Sequence, residues 1–156
     1  MTPARYDEAK LLPLTTNALI EERVAGLLGR AIQRQLWLLF LDEHGVQLPT
    51  LIPIDGLPPL PPGLSDTALC SMLRHVTESA GAHSLVFVLE RYADARLTPT
   101  DIDWARALHR ACDEAEVPLR GILVSHRRGV RWVAQDDYRF GGGVGGDSAA
   151  DAGGIG

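Results

Sequence analysis

The chain has 156 residues, 46% of them apolar and 22% charged, which suits one domain of about 100–200 residues with a core of its own. A net charge of −5 and a pI near 5.5 weigh against a protein that grips nucleic acid through its phosphates. Two distant cysteines, Cys70 and Cys112, are too few for a disulfide framework or a zinc knuckle, and both are expected as buried thiols in a reducing cytoplasm.

Residues 1–14 (MTPARYDEAKLLPL) carry early acidic residues and no long apolar core, so they read as a flexible start rather than a signal peptide. Thr16–Asn17 can cap a helix over about Ala18–Gln33, with Leu19, Ile20, Val24, Leu27, Leu28 and Ile32 on one face. Leu36–Asp42 (LWLLFLD) is a near-continuous apolar run of strand length, suited to burial on both faces. A second strand near Leu48–Asp55 contains Pro49 and Pro53, which cannot donate to a ladder and place it at an edge. Gly56–Gly63 (GLPPLPPG) is a stiff connector; its PPLPP core lacks the flanking basic residue of an SH3-type ligand. Ser65 caps a helix over Asp66–Ala80, with Leu69, Met72, Leu73 and Val76 inward and Gly81 as its stop.

Ser84–Leu89 (SLVFVL) is the next buried strand, followed by a polar loop, Glu90–Leu97. Thr98, Pro99 and Asp101 form a capping-box-like helix start, and the helix runs to about Glu116, ended by Pro118. Ile102, Ala105, Leu108, Cys112 and Ala115 form its inward stripe. Leu119–Ser125 and Val130–Ala134 are two strands around the turn His126–Gly129. Gly141–Gly156 is half glycine and is expected to be a disordered tail, leaving a folded unit over 15–140. Helices alternating with buried strands give an α/β fold, a mixed sheet flanked by helices. No run is long enough to span a bilayer, so no membrane partner is expected and the chain reads as cytoplasmic.

Spacing alone yields no reaction. The histidines at 44, 75, 83, 109 and 126 form no HxH or HExxH pattern; His75 and His109 fit solvated helix faces, and His126 an exposed turn. Ser125 and His126 are sequence neighbours, which does not by itself make a nucleophile and its base. Gly141–Gly146 lacks a following helix and a lysine, so it is no phosphate cradle.

The segments LWLLFLDEHG, SLVFVLERYADARLTPTDIDWARAL and GILVSHRRGVRW carry a resemblance. From Leu36 to Val133 the chain resembles the JAB/MPN (JAMM) family, most closely its RadC-like branch. The resemblance implies a cytidine-deaminase-like α/β/α arrangement. It also implies a zinc site built from an HxHP loop, a Thr-Pro-Ser helix start and an Asp three residues beyond that Ser. Active members hold zinc with two His and one Asp and use a separate Glu as general base. Here Thr98-Pro99-Thr100 stands at the Thr-Pro-Ser and Asp103 at the ligand Asp, but Glu90 and Tyr92 occupy the two His positions and Ala93 that of the Pro. A tyrosine phenol ionises only near pH ~10. Glu90 and Asp103 would make at most a weak carboxylate pair for a hard cation.

Glu90, Tyr92, Thr100 and Asp103 are therefore read as vestigial metal positions, with no catalytic residue, metal or cofactor expected. Asp103 also fits a carboxylate in the first turn of a helix, and Asp55, at the place of a general base, fits an ordinary turn aspartate. The expectation is a pseudoenzyme, an interaction or scaffold module with a protein partner or a second copy in a homodimer. Its contact surface would be Arg91, Tyr92, Arg96 and Trp104, types that dominate binding hot spots. The alternatives are a hydrolase with ligands rearranged around Glu90, Asp103 and a histidine, and a DNA-repair-associated RadC-like protein.

Overall fold

Near-continuous apolar sequence forms the three central strands of one sheet, and the segments marked by proline and glycine form its edges. The structure, a computed structural model, describes residues 12–28, 31, 33–55 and 67–139. Its elements are α1 (Asn17–Leu28), β1 (Gln35–Leu41), β2 (Gln47–Asp55), α2 (Thr67–Ala80), β3 (Ser84–Glu90), α3 (Pro99–Ala115), β4 (Leu119–His126), β5 (Gly129–Trp132) and α4 (Gln135–Arg139). The sheet order is β2-β1-β3-β4-β5, with β3 and β4 parallel and every other neighbouring pair antiparallel. The chain is thus α/β, a mixed five-stranded sheet with helices on both faces. None of its described helices is long and apolar enough to cross a membrane.

Strand alternation splits the core in two. On one face Leu36, Leu38, Phe40, Leu85, Phe87, Leu89, Ile122 and Val124 pack under α2 and α3. On the other Leu39, Leu41, Val86, Val88 and Leu123 pack under α1 through Ile20 and Val24. The β1–β2 turn is organised by Asp42, whose carboxylate accepts from the N–H groups of His44 (2.8 Å) and Val46 (3.0 Å). These bonds, that of Val46 foremost, hold its carboxyl below the usual range. Gly45 supplies the left-handed φ of +80° that the turn needs.

Several boundaries differ from the sequence reading. The fold already includes Pro13, bridged to Val46, and buried Leu14, a little before the expected start at Thr15. Thr16 Oγ1 accepts from Leu19 N–H at 3.2 Å, as a cap does, but the Leu19 side chain is exposed rather than inward. The first helix is assigned only to Leu28, not to Gln33; Gln33 lies beyond it, and Ile32 lies outside the described residues. So do the connector at 56–63, the Ser65 cap and the glycine-rich tail. Both thiols are buried as expected, and desolvation pushes the Cys112 thiol up to about 12. The last turn of α3 is closed by Glu116 itself, left-handed at φ 59°, with Pro118 two residues beyond. A helix the sequence did not announce, α4, buries Tyr138 against His109, ring centroids 5.7 Å apart.

Trp132 on β5 lies across Gly121 of β4, so closely that a Cβ at 121 would overlap its ring. Arg120 stacks 5.8 Å from the Trp132 ring centroid and donates to Asn17 Oδ1, tying this edge to α1. Gly121→Ala is expected to cost about 1–3 kcal/mol through overpacking, measured as a lower urea midpoint with an unchanged slope; an unmoved midpoint would mean the ring gives way freely.

Candidate functional site

A parallel pair brings the carboxyl ends of its strands together, so the chain leaving each strand meets at one end of the sheet. Here β3 ends at Glu90, β4 at His126, and antiparallel β1 begins at Gln35 beside them. The loop 91–98 and the Arg127–Arg128 turn therefore converge. Arg91 N–H donates to Ser125 O at 3.1 Å and Arg127 N–H to Ala93 O at 2.9 Å. Every position suspected from sequence except Asp55, Thr100, Asp103 and Trp104 lies on this junction; Thr100, Asp103 and Trp104 follow on α3.

Glu90 ends the strand SLVFVLE on the side of Val86 and Val88, which α1 covers. It is 4% exposed. Its Oε1 accepts from Gln35 Nε2 at 2.7 Å and from Trp37 Nε1 at 2.8 Å, and its Oε2 from Gln33 N–H at 3.3 Å. The carboxylate is thus a structural acceptor that joins β1 to β3. α3 lies on the opposite face, so Glu90 and Asp103 do not form the carboxylate pair considered from sequence.

Arg91, one residue on, points to the α3 side and is buried, a correction to its expected place on a contact surface. Its Nε lies 2.9 Å from both Asp101 oxygens and its Nη2 2.9 Å from Oδ2, a forked ion pair. The remaining donors reach Asp94 O at 2.8 Å and Arg96 O at 2.6 Å, so one guanidinium fastens the whole loop. Asp101 is at once the third residue of α3. Thr98 Oγ1 accepts from Asp101 N–H at 3.1 Å and Thr98 N–H donates to Asp101 Oδ2 at 2.9 Å, a complete capping box.

The first-turn acid is therefore Asp101, not Asp103, which lies past that turn, half-buried and without a side-chain partner among the described residues. Thr100 is half-buried at the second position of α3. Trp104 is 3% exposed in the core under α3, a second correction to the expected contact surface. Tyr92, by contrast, is 69% exposed, with the Arg127 guanidinium 5.7 Å from its ring centroid, and the Arg96 side chain is also in solvent. Asp55, at the end of β2, is exposed.

These positions do not fit zinc. The Glu90 carboxylate accepts from three N–H donors, Tyr92 stands in solvent, and Asp103 is on α3, which packs on the face of the sheet opposite Val86 and Val88. No group of three or more His, Cys, Asp or Glu among the described residues is placed to hold a metal. The cleft between Arg34, Leu89, Glu90, Arg91, Asp101 and Trp104 has room for about one water molecule. Small-molecule sites are far larger, typically ~300–1,000 Å³.

His126, expected as an exposed turn residue, is buried. Its Nδ1 accepts from Arg128 N–H at 3.2 Å, which fixes the neutral ring with its proton on Nε2. Burial lowers its pKa first, then Arg91 and Arg131, with Asp94 opposing. The unfolded chain takes up this proton near the ordinary 6.5, the folded chain only at lower pH. Stability present above about pH 6.5 is therefore lost as the pH falls through the folded pKa. His126→Gln keeps the acceptor and removes the titration, and the fall in urea midpoint between pH 7 and 5 is expected to shrink in that variant. An identical fall in both chains would assign it to other groups.

No protein-family model matches the chain, and a search of curated proteins finds no match to it.

Proposed function

We propose that the chain is a non-catalytic, RadC-like JAB/MPN domain that acts as an interaction module in the cytoplasm. The observation that carries this reading is the engagement of Glu90, held by Gln33, Gln35 and Trp37 where an active relative needs a free imidazole. Support also comes from the sheet order, with its parallel β3–β4 pair, and from the helix opening at Thr98-Pro99-Thr100 directly after the altered loop. Arg91 fastens that loop through the Asp94 and Arg96 carbonyls while Tyr92 and Arg96 stand in solvent, a pattern that suits a binding surface better than a reaction site.

Zinc content of the purified full chain tests the reading. The expected result is far less than one zinc per chain and no hydrolytic activity sensitive to a chelator. Stoichiometric zinc lost in both Glu90→Gln and Tyr92→Phe, together with such an activity, would overturn it in favour of a hydrolase with rearranged ligands.

A further inference from the structure

In a chain of net charge −5, the loop and turn at the carboxyl ends of β3 and β4 are locally basic. Residues 92–97 and 127–131 contain Arg96, Arg127, Arg128 and Arg131 against the single acid Asp94. All four arginines are exposed. Among the described residues, the guanidinium groups of Arg96, Arg127 and Arg128 have no ion pair, and that of Arg127 has only the Tyr92 ring. Arg131 Nη1 donates to Ala95 O at 3.2 Å, which brings β5 against the same loop.

The base of this patch is fixed. Arg91 holds the carbonyls of Asp94 and Arg96, Asp94 Oδ1 accepts from Arg96 N–H at 3.0 Å, and the turn is hydrogen-bonded to Ala93. Such preorganisation lowers the ordering cost of binding.

We propose that Tyr92, Arg96, Arg127 and Arg128 form a docking face for an acidic peptide segment of a partner protein. This rests on the interaction-module reading and names the partner's chemistry. Guanidinium forks match carboxylates in geometry and charge, and an exposed tyrosine beside them supplies an amphipathic anchor. The patch occupies one end of one sheet on an otherwise acidic chain. That extent suits a short acidic segment better than a nucleic-acid backbone, which calls for an extended basic stripe.

The test uses the full chain and a fluorescein-labelled oligoglutamate peptide, read by anisotropy at low and physiological salt. A serine–glutamine peptide and a single-stranded oligonucleotide, each of the same length, are run beside it. Oligoglutamate is expected to bind at least about tenfold more tightly than the neutral peptide, with Arg127→Gln/Arg128→Gln weakening it about tenfold. Arg96→Gln should weaken it less, and Arg74→Gln, at an exposed position of α2, should leave it unchanged. Binding unaffected by the double substitution, or oligonucleotide binding that exceeds peptide binding with a steep salt slope, would overturn the proposal. Thermal unfolding confirms that the variants fold, and Arg96→Gln carries the test if the double variant does not. Zinc-dependent hydrolysis with intact patch binding would sink the non-catalytic reading alone; zinc-free protein with no peptide preference would sink this inference alone.

Discussion

Asp101→Ala is expected to lower the unfolding free energy by about 3–5 kcal/mol, the usual cost of removing one partner from a buried ion pair. The charge left behind is Arg91, whose guanidinium is buried and rigidly bonded to the loop carbonyls. It cannot reach water without releasing the loop from Tyr92 to Leu97. The same substitution removes the side-chain half of the capping box, typically worth about 1 kcal/mol. Against a total stability of about 5–15 kcal/mol for a domain of this kind, the variant should be close to unfolding at growth temperature. Asp103→Ala, two residues along the same helix, should change stability by about 0.5 kcal/mol or less, since no side-chain partner is lost among the described residues. Chemical denaturation of both variants gives the contrast directly. Equal, small effects would mean that the Arg91–Asp101 pair is replaced by solvent at little cost. A double-mutant cycle with Arg91→Met isolates the coupling from the cap, which survives in Asp101→Asn with its acceptor intact.

The sequence carried the framework of this fold in its periodicities. The apolar runs at 36–41 and 84–89, the prolines that put β2 at an edge, and Thr98-Pro99 followed by Asp101 each state their local structure. What they leave open is direction. Trp104 stands four residues before Leu108 on the inward stripe of α3, a spacing that shows its burial, yet its neighbourhood of arginines reads as surface. Arg91 gives no such signal, because its burial depends on Asp101 meeting it from the next helix. His126 is buried where the β4–β5 turn is hydrogen-bonded to Ala93 of the loop and to Ala31, a tertiary event invisible in HRRG. The helix α4 is five residues long, too short for a periodic pattern to register. Glu90 is the instructive case. Alternation along SLVFVLE places it with Val86 and Val88, and the packing of α3 on the other face, which the sequence does not state, separates it from Asp103.

Glu90→Ala is expected to cost about 2–4 kcal/mol, because it strands the buried Gln35 Nε2 and the Trp37 Nε1 donors, each at the penalty of an unmade hydrogen bond. Glu90→Gln retains an oxygen in the place of Oε1, where both donors converge, and should cost about 1 kcal/mol, arising where an amide nitrogen meets Gln33 N–H. The order of these two losses separates the two roles open to the residue. A carboxylate kept for a cation is usually unfavourable to the fold, so its neutralisation would leave stability unchanged or raised while abolishing whatever the cation does. A carboxylate kept as an acceptor behaves in the opposite way: alanine harms the fold, glutamine largely spares it, and binding of acidic peptide at the Arg127–Arg128 turn is unaffected in both folded variants. Trp37→Phe removes one of the two donors, so the cost of Glu90→Ala should fall by about 1 kcal/mol in that background. Full additivity of the two substitutions would mean that the Trp37 indole gains nothing from Glu90 and that the carboxylate is held there for another purpose.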